Sequence, residues 1–121
     1  MRLAALTGVS VLATLLMACG GPSEVDEHFE AGVRLHEEGR FEDSVAEFDE
    51  ALLLDLKHVP SYLKRGDAFA ALGQADLAFQ DYTLAIGLDA GSAEAYLSRG
   101  WAYAQMGDLQ RATADFNTAI G

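Results

Sequence analysis

Small and aromatic side chains recur along this chain at helical intervals. Tyr62, Gly66 and Phe69 lie four and three residues apart, followed by Ala78, Tyr82, Ala85 and Ile86. The same series returns as Tyr96, Gly100 and Tyr103, then Ala112, Phe116, Ala119 and Ile120. Spacings of three and four gather such residues on one stripe of a helix and leave the polar positions to the opposite face. The whole pattern superposes on itself at a shift of 34 residues: Gly32, Gly66 and Gly100 align, as do Gly39, Gly73 and Gly107, Phe48, Tyr82 and Phe116, and Ala51, Ala85 and Ala119. A fixed period of that length predicts stacked copies of one unit, none able to bury its apolar face alone. Each period holds two stripes parted by a glycine turn at Gly39, Gly73 or Gly107, which predicts two antiparallel helices per unit. Gly inside a helix costs ~1 kcal/mol relative to Ala, so Gly32, Gly66 and Gly100 at one phase imply a close helix crossing with the aromatic opposite. No predicted strand precedes any of them, which argues against a phosphate loop.

These residues resemble the tetratricopeptide repeat, whose signature runs aromatic-x-x-Leu-Gly-x-x-Tyr and then Ala-x-x-x-Phe. The third copy has Tyr96, Arg99, Gly100 and Tyr103 with Ala112 and Phe116; the second has Tyr62, Arg65, Gly66 and Phe69 with Ala78 and Tyr82. The first is degenerate, with His28, Ala31, Gly32 and Leu35, then Ser44 and Phe48. The family's closing proline is replaced by Leu56 and Ala90, while Pro60 opens the second unit, where a missing N–H is harmless. The resemblance covers residues 25–121 and implies an all-α, right-handed superhelical solenoid of three antiparallel helix-turn-helix units, 25–58, 59–92 and 93–121. It further implies that the first helices line a concave groove that binds peptides.

Residues 1–18 form a different kind of segment. Arg2 is followed by a mostly apolar run from Leu3 to Ala18 that ends Leu16-Met17-Ala18-Cys19. One positive charge, a short apolar core and a small residue before the cut describe an export signal. The run is shorter than the ~20 residues a membrane-spanning helix needs. Its end resembles a bacterial lipobox, with Cys19, the chain's one cysteine, as the lipidated (palmitate-bearing) residue and 19–24 as the linker. Cleavage nearby without lipidation, or an uncleaved anchor, are the alternatives. Several acyl chains give a stable attachment that one does not.

Charge narrows the partners. The chain has 19 acidic and 8 basic side chains, and removal of the leader takes Arg2 as well. Nucleic acid is not expected, because phosphate binding needs a basic face. Anionic lipid would repel the domain, leaving attachment to the acyl groups. Residues 25–58 alone carry 11 acidic and 3 basic side chains. This is either a docking end for a basic partner or a solvated outer face on a terminal repeat, and acidic runs are more often the latter.

Arg65 and Arg99 replace the family's leucine, and each precedes an aspartate, Asp81 or Asp115, by the same interval. An Arg–Asp pair between the two helices of a unit is expected in the second and third repeats. Glu47, opposite Ala31 in the first repeat, is expected to borrow Arg65.

The family pattern assigns the partner groove to Phe29, Val33, Leu63, Lys64, Asp67, Leu97, Ser98, Trp101 and Gln105, with Phe29, Leu63 and Leu97 as an apolar strip. Trp101, one turn beyond Leu97, is either a recognition residue or intramolecular packing. Relatives that grip a chaperone's carboxylate tail use an Asn and Lys/Arg clamp, whereas the matching places here hold Phe29, Val33, Lys64, Glu94 and Ser98. A partner peptide or amphipathic helix with basic flanks suits the groove better. No catalytic, cofactor or metal constellation is expected: His28, His36 and His58 form no i, i+4 pair, and no acidic run has a metal-loop spacing. Thr113, polar at the phase of Val45 and Phe79, and Gly121 point to a natural end after the third repeat. Phe116 and Ile120 leave an apolar edge there, and self-association through the C-terminal helix is a further expectation.

The resulting expectation is a non-enzymatic scaffold or adaptor, tethered in a bacterial cell envelope. Gly20 after Cys19 favours the periplasmic face of the outer membrane. The alternative is a soluble periplasmic or secreted stabiliser or self-assembling spacer.

Overall fold

The computed structural model describes residues 22–121, so the expected export signal and Cys19 lie outside the described residues. Six helices follow one another: α1 (Glu24–Glu37), α2 (Phe41–Leu54), α3 (Val59–Ala71), α4 (Ala75–Leu88), α5 (Ala93–Gln105) and α6 (Leu109–Ile120). No strand occurs among the described residues. Each helix packs against its chain neighbours, and the backbones of α1, α3 and α5 also approach one another in sequence, whereas those of α2, α4 and α6 stay apart. First helices therefore form a closed inner layer, while the second helices splay apart on the outside.

Local chemistry sets the boundaries. Ser23 and Ser92 cap α1 and α5 by accepting the Asp26 and Ala95 N–H groups, and Asp108 caps α6 by accepting from Arg111 N–H. Pro60 sits in the first turn of α3, where its missing donor is no loss. Within each unit the first helix ends in the same turn: Gly39, Gly73 and Gly107 take φ of 78°, 77° and 84°. The next residue's N–H returns to Leu35, Phe69 or Tyr103 at 2.9, 2.8 and 2.9 Å. A left-handed residue closing two backbone bonds is the glycine-dependent stop that lets α1, α3 and α5 reverse into their partners.

The crossing glycines explain the rest of the repeat. A Cβ built on Gly32, Gly66 or Gly100 would meet the ring of Phe48, Tyr82 or Phe116 at 2.5, 2.6 or 2.7 Å. Small against large at one level is how two helices close without a void. The central core joins Leu63, Ala78, Tyr82, Ala85, Ala95 and Ala102, with Phe69, Phe79 and Ile86 packed on it. Phe79 of α4 meets Tyr103 of α5 edge-on at 4.9 Å, sealing the second repeat to the third. Phe29 bridges Phe48 and His58 at the first junction.

Candidate functional site

The inner layer is the candidate site. Its middle is a small cavity of about 130 Å³ between α1 and α3, lined by Val33, His36, Glu37, Phe48, Lys64 and Asp67. Lys64 does not project freely from it. Its Nζ lies 3.4 Å from Glu94 Oε1 on α5 and 4.0 Å from Asp67 Oδ2, so one cation is shared by two acids across adjacent first helices. Asp67 is fixed from behind, accepting the Tyr82 hydroxyl at 2.7 Å. Burial raises the Asp67 carboxyl above its ordinary range, and the hydroxyl donor opposes that rise. Tyr82 is pushed up in turn, by burial first and then by the bond to Asp67. Tyr82 thus packs Gly66 with its ring and orients a groove carboxylate with its oxygen.

At the far end, Trp101 and Leu97 on α5 are 60% and 47% exposed. Trp101 covers Phe116 edge-on, with ring centroids 5.8 Å apart, while most of its surface remains open. Ser98 is half-buried and Gln105 is exposed, both also on α5. Val33 and Phe29 are half-buried. Leu63 corrects the sequence reading: it is 5% exposed and belongs to the core, so Phe29, Leu63 and Leu97 do not form a continuous exposed strip. The middle repeat is flanked on both sides, and neighbouring first helices close over a position that stays open at the end of the stack.

Beside this layer the expected Arg–Asp pairs are present. Arg65 donates to both oxygens of Asp81 at 2.8 and 2.7 Å, and Arg99 to both of Asp115 at 2.8 and 2.9 Å. Each guanidinium also lies over two rings, Tyr62 and Phe69 at 5.7 Å or Tyr96 and Tyr103 at 5.6 and 5.7 Å. Such stacking favours the cation, and the carboxylate bonds bind the proton more firmly to both arginines. These residues are structural, since the guanidinium groups turn to the partner helix.

The first repeat differs from its expectation. Glu47 takes His28, Nδ1 to Oε2 2.7 Å, not Arg65. That bond raises the His28 pKa above 6.5. The spare Nη1 of Arg65 goes instead to Asp49 at 2.7 Å. A spacing rule was available in the sequence: Asp49 and Asp81 stand 16 residues before and after Arg65. The same step back from Arg99 reaches Thr83, so Arg99 has no second acid. Tyr82 as a partner of Asp67 had no such signal, because the aromatic phase assigns it only to packing.

Among the described residues no group of three His, Cys, Asp or Glu side chains is placed to hold a metal ion. Nor is any described helix long and apolar enough to cross a membrane.

Solved structures with this fold are similar over most of the chain. The second repeat domain of Spaghetti (RPAP3), bound to the HSP90 peptide SRMEEVD, has a TM-score of 0.78 at 24% identity, covering 81% of this chain and 91% of that one. The Arabidopsis OM64 domain has a TM-score of 0.78 at 29% identity, covering 79% of each chain. The Yersinia enterocolitica type III secretion chaperone SycD, in complex with a peptide of the translocator YopD, has a TM-score of 0.75 at 22% identity over 78% of this chain and 72% of that one. No curated protein matches the chain. A model of the tetratricopeptide repeat matches residues 59–91 and 93–121, about half the chain. The two matched segments are the two units with paired arginines, crossing glycines and left-handed turns, and with them the chain belongs to the tetratricopeptide repeat family.

Proposed function

We propose that this protein is a membrane-tethered scaffold of a bacterial cell envelope whose inner layer receives a peptide or amphipathic helix with basic flanks from a protein partner. Membership of a protein–protein interaction family supports the coarse reading. The observation that carries the finer one is the open indole of Trp101, beside Leu97 on the layer where Lys64 is bracketed by Asp67 and Glu94. Trp is among the residue types most enriched where a few side chains dominate an interface. Lys64 is already held by Glu94 and Asp67, so an acidic tail would meet two carboxylates for each ammonium. The peptide SRMEEVD bound by Spaghetti is acidic; this surface favours the opposite sign.

Photo-crosslinking from Trp101 and Leu97 in cells, read by mass spectrometry, tests the reading. Adducts should map to one partner segment enriched in Lys or Arg, and Trp101→Ala should abolish adducts formed from Leu97. Adducts spread over unrelated proteins would refute it. Tethering rests on the apolar run before Cys19 and has its own test. Acyl label should enter the chain, be lost in Cys19→Ser, and follow the outer membrane on fractionation. Label that persists in Cys19→Ser would remove the tether from the reading.

A further inference from the structure

The outer side carries a second surface with a different chemistry. Where α2 and α4 diverge, a groove of about 470 Å³ opens between them, lined by Asp49, Leu52, Leu53, Leu56, Tyr62, Arg65 and Leu84. Leu53 is 74% exposed, Leu56 69% and Leu84 49%. Stacking of the repeats does not use them. Where the first repeat has Leu53 and Leu56, the second has Gly87 and Ala90, and α4 and α5 still pack. Single exposed leucines are ordinary, but three converging on one groove mark an interaction surface.

The groove is held in shape. Tyr62 donates its hydroxyl to the Leu56 carbonyl at 2.9 Å, which ties the loop between repeats to α3. On the wall, the single cation of Arg65 is shared between Asp81 and Asp49, so this cluster keeps one negative charge in excess. Asp49 is half-exposed, and Glu50 beside it on α2 is exposed. The surrounding repeat has 11 acidic and 3 basic side chains.

We infer that this outer groove docks a basic amphipathic helix, its leucine-type side chains entering among Leu53, Leu56 and Leu84 and its Lys or Arg residues facing Asp49 and Glu50. An apolar stripe at i, i+3 and i+4 fits an apolar channel between two helices, and the acidic rim selects the sign of the flanks. A second copy of this chain is disfavoured, because a two-fold contact here would set one acidic first repeat against another.

The test uses the full chain and a fluorescent Leu/Lys amphipathic peptide of roughly 18 residues, five helical turns. Controls are an Ala/Lys peptide of equal charge and a Leu/Glu peptide. The Leu/Lys peptide alone should bind, and it should shift the NMR methyl signals of Leu53, Leu56 and Leu84. Leu53→Ser combined with Leu84→Ser should weaken it by about tenfold or more. Both sites are exposed, so the helical circular dichroism and melting should be retained; Leu84→Lys is a second variant expected to act through charge as well. Trp101→Ala should leave the peptide-induced shifts of the Leu53, Leu56 and Leu84 methyls unchanged, which separates binding in the outer groove from binding of the same peptide at the inner layer. Equal binding of the Ala/Lys peptide, or loss through Trp101→Ala with the leucine variants silent, would overturn the inference. So would sedimentation showing a dimer that the leucine variants dissociate.

Discussion

The first repeat and the two that follow solve the same packing problem with different side chains. In the second and third, an arginine sandwiched between two rings reaches a nearly buried aspartate on the partner helix. In the first, Ala31 cannot do so, and the helices are joined by a partly exposed His28–Glu47 bond and by Ser44, whose hydroxyl donates to the Gly32 carbonyl at 2.9 Å. The glycine–aromatic crossing is common to all three. The steric element of the repeat is therefore kept in all three units, whereas the polar clasp differs between them. Placing the weaker, solvated clasp at the end of the stack leaves the strongest ion-pair network at its centre, where Arg65 ties α2, α3 and α4 together.

The largest test of that contrast is Arg65→Ala. It leaves Asp81, 2% exposed, without its counter-ion, and removing one partner of a buried pair typically costs about 3–5 kcal/mol. Urea unfolding should show a loss near the lower end, because Arg65 keeps some solvent contact, and a smaller loss for Arg99→Ala, which serves one acid. Equal losses would mean that the link to Asp49 contributes nothing.

Next come the glycines. Gly66→Ala pushes on a Tyr82 ring whose hydroxyl is pinned to Asp67, and overpacking of this kind costs about 1–3 kcal/mol. Gly100→Ala meets Phe116, which is only half-buried and has no pinned hydroxyl, and the Ala112 carbonyl at a milder 3.3 Å, so its thermal midpoint should fall less. Tyr82→Phe keeps the ring and deletes the bond to Asp67. About 1 kcal/mol of stability should go, and NMR titration should find the Asp67 carboxyl higher still, since the opposing hydrogen bond is lost.

The smallest effect belongs to the first repeat. His28 has a folded pKa raised above 6.5, so its stabilisation is fully present below 6.5 and disappears as pH climbs through the folded value. With the pair about one-third exposed, less than about 1 kcal/mol is at stake. His28→Gln should flatten the pH dependence of unfolding in that window and leave Arg65→Ala as damaging as before.

Periodicity made the repeats legible. Gly39, Gly73 and Gly107 announced the turns, Gly32, Gly66 and Gly100 the crossings, and Arg65 with Asp81 and Arg99 with Asp115 the clasps, because each depends on contacts within one unit at fixed spacing. Relations between units were harder to read. Leu63 and Leu97 occupy one repeat position, yet Leu63 is enclosed by helices on both sides and Leu97 is not. Arg65 bridges to Asp49 of the preceding unit while Glu47 pairs with His28; the 16-residue step back from Arg65 marked Asp49, but a reading confined to contacts within one unit passed over it. The leucines of the outer groove are scattered in sequence and meet only because α2 and α4 diverge. The amino-acid order thus determined the unit, its turns and its charge, through local sterics and helical phase. Stacking decided which equivalent positions are enclosed and which stay open, since burial depends on neighbours that no single repeat contains.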